Sequence, residues 1–208
     1  MRRAPYAIDD SARSEDADVW FALPPGFVPL PLQELTVTWS TPEQALGRMT
    51  DFGPVLRLAG LLVEAGTVHC CLGLHVDDEG GGGPLSSLFT LAWRRTGWAP
   101  RSVLAARAAA GAERAEHIEA LDLPCGPAAL VQTRLAAPPE LGLATPCELL
   151  QVTAYVPCPD GERIAILSLA TTAVRRAGHY RALLTDIAGT VSFECPLTDG
   201  SHDVSDKD

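Results

Sequence analysis

CELLQVTAYVPCPDGERIAILSLATTAVRRAGHYRALLTDIAGTVSFE, residues 147–194, decides the fold. Two alternating apolar runs, 148–156 and 163–171, flank Pro157-Cys158-Pro159-Asp160-Gly161-Glu162, whose prolines and Asp-Gly pair stop a strand and close a hairpin. Successive strand side chains point to opposite faces, so Leu150, Val152, Ala154 and Val156 share one face of the first strand, as do Ile164, Ile166 and Ser168 on the second. The period then changes. Tyr180, Leu183, Leu184, Ile187 and Val191 recur at helical spacing over 174–190, with Arg175, Arg176, Arg181 and Asp186 turned outward. A hairpin followed by a helix that covers it predicts a sheet with packed helices.

Upstream, 117–123 and 128–135 read as strands around the turn Pro124-Cys125-Gly126-Pro127, and the alanine-rich stretch 100–113, opened by Pro100, reads as a helix. Residues 67–76 and 85–95 are further strands on either side of DDEGGGGP, 77–84, an acidic glycine run with no side chains to pack. No Lys-Ser or Lys-Thr follows those glycines, which removes the phosphate-loop reading. Thr41-Pro42-Glu43-Gln44 carries helix-start chemistry, and Gly53-Pro54 breaks that helix. In the next helix, 54–64, Leu56 and Leu61 widen an already apolar stripe, so it is deeply packed or covered by a partner. Residues 35–39 suit a short strand, and 19–27 an edge strand ended by Pro24, Pro25 and Gly26. The expected fold is α/β of the α+β type: a mainly antiparallel sheet of about six or seven strands flanked by helices. A single domain over 19–195 lies between a disordered segment, 1–18, and a disordered acidic tail, 196–208.

The chain has 208 residues, enough to bury a core without metals or disulfides. Its net charge of -10 repels phosphate backbones and anionic lipid, and Arg94-Arg95 and Arg175-Arg176 are too short and too far apart to form a basic patch. Nucleic acid is excluded as a partner. Arg2 and Arg3 are not followed by the apolar run of a secretory signal, and the 54–64 stretch is far shorter than the roughly twenty residues of a membrane span. A cytoplasmic protein is expected. Its six cysteines, Cys70, Cys71, Cys125, Cys147, Cys158 and Cys195, show no C-x-x-C spacing and read as reduced buried hydrophobes. Lys207 is the only lysine among 16 basic residues, a bias typical of a GC-rich bacterial genome.

The order of elements and three phrases, FALPPGF at 21–27, LPCGPA at 123–128 and YRALLTDIA at 180–188, resemble the Mog1/PsbP-like group of α/β/α sandwiches. The resemblance covers about residues 20–194 and rests on element order and turn chemistry. It implies a binding or accessory protein with no catalytic set and no cofactor.

Four constellations carry chemistry. His69, Cys71 and His75 fall on one face of a strand, and imidazole with thiolate suits a soft metal, but no fourth ligand is indicated and core packing is the expectation. Ser168 or Cys147 with His179 and Asp186 lacks a nucleophile elbow, so no catalytic residue is assigned. Glu113, Glu116, Glu119 and Asp122 read as a solvated helix end and strand edge. In WRRTGW, 93–98, two aromatics surround two guanidinium groups at a strand end; Trp93 is expected in the core and Trp98 outside, where aromatic and Arg side chains act as binding hot spots. The functional expectation is a non-enzymatic cytoplasmic accessory or adaptor protein that binds a protein partner through Trp98, Arg94, Arg95, Leu56 and Leu61. The alternative is a small-molecule binder or hydrolase with a pocket between the sheet and the 54–64 helix. Oligomeric state is left open.

Overall fold

The computed structural model describes residues 7–8, 18–30, 65–76, 84–136 and 148–194. The expected elements at 35–39 and 41–64, with Leu56 and Leu61, the glycine run 77–83, Cys147 and the 196–208 tail lie outside the described residues. In chain order the elements are β1 (Ala7–Ile8), β2 (Ala22–Leu23), β3 (Phe27–Pro29), β4 (Thr67–Val76), β5 (Pro84–Arg95), α1 (Arg101–Ala110), β6 (Ala115–Leu123), β7 (Gly126–Ala136), β8 (Glu148–Pro157), β9 (Arg163–Thr171) and α2 (Ala177–Ala188). The fold is α+β. Seven strands form one antiparallel sheet in the order β3-β4-β5-β9-β8-β7-β6, and β1 pairs with β2 separately.

The β8–β9 hairpin sits near the middle of that sheet, and its register shows how the two faces divide. Leu150 lies opposite Thr171, Val152 opposite Leu169 and Ala154 opposite Leu167, so these side chains share a face. Ile164, Ile166 and Ser168 line the other. On the first face α2 buries Tyr180, Leu184 and Ile187 completely against Val152, Leu167 and Leu169. On the second, α1 packs Leu104 and Ala108 on Ile164, and Ala105 and Ala109 on Ala129 and Val131. A helix on each face gives both sides of the central strands an apolar partner, which is why β8 and β9 are nearly continuous hydrophobic runs.

Three local expectations are corrected. The edge strand expected over 19–27 is broken: Trp20 bridges to Ser192, Ala22–Leu23 pairs with Ala7–Ile8, and only Phe27–Pro29 joins the large sheet. Pro24 has no N–H to donate, and Gly26 turns the chain at φ 98°, with its carbonyl accepting from the Leu74 N–H at 2.8 Å. Ala7–Ile8 therefore pairs within the segment expected to be disordered. The closing helix begins as a 3₁₀ turn, Val174–Arg176, before α2. Arg181 does not face outward; its guanidinium donates to Gln132 Oε1, and Gln132 Nε2 donates to Glu116 Oε2 at 3.0 Å. A long side chain on the flank of a helix reaches the neighbouring strand whenever an acceptor lies there.

Candidate functional site

The turn that closes β8–β9 also builds the surface around Trp98. Asp160 Oδ1 accepts the backbone N–H groups of Glu162 at 2.8 Å and Arg163 at 3.1 Å, and Asp160 Oδ2 accepts Arg163 Nε at 2.8 Å. Partial burial works against the Asp160 carboxylate, but these donors outweigh it and hold its pKa down to about 2. Arg163 also pairs with Asp18 at 3.0 Å and lies over the Trp93 ring, 5.0 Å from its centre. Onto this braced turn the segment after β5 is tied at two points: Thr96 N–H donates to Glu162 O at 2.7 Å and Ala99 N–H to Gly161 O at 3.1 Å.

Gly161 is required at the crossing. Its φ is 70°, and a Cβ there would come within 3.0 Å of Trp98 Nε1 and 3.1 Å of Ala99 O. The indole lies against that glycine and is otherwise 71% exposed. Trp93, the third pair in from the end of β5 and opposite Ala165, is half-buried against Phe193 and the main core. The division between the two tryptophans is the expected one.

Trp98, Arg94, Thr96, Leu104, Arg107 and Ile164 line a notch of about 240 Å³ between the strap and α1. The four arginines nearby have different roles. Arg101 donates to the carbonyls of Pro157 and Cys125, fastening the start of α1 to two strand ends. Arg163 holds the turn. Arg94 and Arg107 are exposed and form no ion pair with any described residue. Arg94 lies close enough to Tyr155 to oppose the upward push that burial gives the phenol. The Thr96 hydroxyl oxygen is buried there with no hydrogen-bond partner among the described residues. Arg95, adjacent to Arg94 on the strand, projects the other way and lines a separate depression with Asp160, Glu162 and Arg163. Arg107 and Thr96 were missed in the sequence; the only signal for Arg107 is that it follows Leu104 by one helical turn.

The other constellations fall elsewhere. His69, Cys71 and His75 do share a face of β4, with His69 Nε2 3.0 Å from Cys71 Sγ, but Cys71 is fully buried and the histidine rings pack edge-on against Phe21 and Phe27. No group of three metal-binding side chains converges among the described residues. His75 Nε2 and Ser87 Oγ are both buried beside Gly73 with no hydrogen-bond partner among the described residues. Burial, and secondarily the charge of His179, push the His75 pKa down. Ser168 donates to or accepts from Thr153 Oγ1 at 3.0 Å on the α1 face, whereas His179 belongs to α2 on the opposite face, so the sheet separates that pair. Cys70, Cys125 and Cys158 form no disulfide among the described residues, and burial raises the Cys70 thiol to about 11. Glu113, Glu116, Glu119 and Asp122 are exposed at the α1 end and on edge strand β6.

Among the described residues no helix is long and apolar enough to cross a membrane. The chain matches no protein-family model, and no curated protein is similar to it.

Proposed function

We propose that this chain is a non-enzymatic cytoplasmic accessory or adaptor protein that binds a protein partner at the notch bounded by Trp98, Arg94 and Arg107. The carrying observation is the placement of Trp98: a large aromatic left 71% exposed on a strap that two backbone hydrogen bonds hold rigid. Folding gains little from an indole so placed, whereas a partner that covers it gains a large apolar area at low entropic cost, because the strap is already ordered. Tryptophan and arginine at the centre of a surface are the residue types that dominate binding energy. A helix on each face of the sheet also supports kinship with the Mog1/PsbP-like α/β/α sandwiches.

The test is affinity purification of the full chain from its native cells, wild type beside Trp98→Ala. The expected result is one partner recovered with the wild type and lost with the variant, at unchanged melting temperature. Identical partners with both proteins, or a Trp98→Ala chain that unfolds as readily as one with a core leucine removed, overturns the reading.

A further inference from the structure

Resting on that reading, we infer that the partner presents an acidic peptide segment, a carboxylate side chain next to an apolar one. Arg94 and Arg107 supply two guanidinium groups at one notch, and among the described residues no acidic side chain lines it. In a chain of net charge -10 such a spot is a local reversal of sign, and neither group has an ion-pair partner among the described residues. The contrast with Arg101 and Arg163 is informative, since both of those lie nearby and are committed to carbonyls or carboxylates of the fold. Guanidinium groups take carboxylates through two parallel hydrogen bonds.

Size and shape select a peptide over a small ligand. A volume of about 240 Å³ falls below the roughly 300–1,000 Å³ of sites that engulf drug-sized molecules. One wall is the exposed Trp98, so the occupant must itself cover the indole. Leu104 and Ile164 give the floor an apolar base for one aliphatic or aromatic side chain. The carboxylate then lies between the two guanidinium groups and the apolar neighbour lies on Leu104 and the Trp98 face. The net charge of -10 repels an extended polyanion such as duplex DNA or an anionic membrane surface far more than it repels one carboxylate flanked by an apolar side chain, so the peptide is the favoured occupant of these arginines.

The experiment is selection of a displayed random-peptide library on the intact protein, followed by affinity measurements of the enriched peptides on wild type, Arg94→Glu, Arg107→Glu and Trp98→Ala. All four proteins should melt at the same temperature, because the three side chains are exposed. Enriched peptides should carry Asp or Glu within two positions of an aromatic or aliphatic residue. Each charge reversal should weaken them about tenfold or more, with the loss shrinking at high salt. Peptides that need Trp98 but lack acids and ignore both charge reversals would overturn this inference and leave the adaptor reading standing. Peptides indifferent to Trp98 would overturn both. Arginine-dependent binding of a duplex DNA or of phosphatidylserine vesicles tighter than any selected peptide would replace the acidic segment with that partner class.

Discussion

The α2 face and the notch face of the same sheet place their large side chains in opposite ways. Beneath α2, Tyr180, Leu184 and Ile187 are wholly out of solvent and pack on β8 and β9; beside α1, Trp98, Arg94 and Arg107 stand in water around a shallow cavity. Apolar atoms removed from water gain roughly 25 cal/mol per Å², so the α2 face stabilises the fold, while the notch keeps its apolar and charged surface available. The closed α2 face and the open notch thus lie on two sides of one sheet. The comparison teaches that side-chain size alone does not identify a core residue: the indole is the largest side chain available, and Trp98 leaves 71% of its surface in solvent.

The sharpest way to break the comparison is Leu184→Ala. Leu184 is fully buried, so the change should cost about 2–5 kcal/mol, and a thermal melt should shift down by roughly 5–15 °C. A shift of a degree or two would mean that α2 is not the stabilising face. Next in size is Gly161→Ala. A φ of 70° and the contact with Trp98 should together cost about 1–2 kcal/mol and move the tryptophan emission, because the indole must leave its seat. Unchanged emission would show that Gly161 does not set the position of Trp98.

A third test concerns pH. The folded-state pKa of His75 lies below the ordinary histidine value, so in the window between the two the unfolded chain binds the extra proton. Stability should therefore fall as the pH drops below about 6.5 and level off once the folded-state value is passed. Urea midpoints measured between pH 7.5 and 5.5 should show this slope in the wild type and a flatter one in His75→Gln; equal slopes would place the titration elsewhere. The smallest expected effect is Trp98→Ala, within about 0.5 kcal/mol of wild type by the same urea titration. A larger loss would move Trp98 into the core and remove the notch as a binding surface.

Much of the architecture was legible because it follows from short-range periodicity. Alternation at 148–156 and 163–171 with a Pro-Asp-Gly turn leaves a hairpin as the only economical arrangement, and the structure has β8 as Glu148–Pro157 and β9 as Arg163–Thr171. The exposure of Trp98 was legible too, since it follows the strand and precedes the Ala-Pro start of a helix. The break at Pro24-Gly26 was half visible: prolines and a glycine mark an interruption, but not that the two halves join different sheets.

By itself, then, the sequence determined the order of elements from β4 to α2, the covering helix, the acidic charge balance and the exposure of Trp98, all of which depend on neighbours within a few residues. Only the tertiary structure decided strand order, the pairing of Arg181 with Gln132, the separation of Ser168 from His179 and the meeting of Arg94 with Arg107. The physical reason is the same in each case. These contacts join residues 13 to 49 or more positions apart or lying on opposite faces, and nothing in local hydrophobic patterning encodes which strands become neighbours once the loops close.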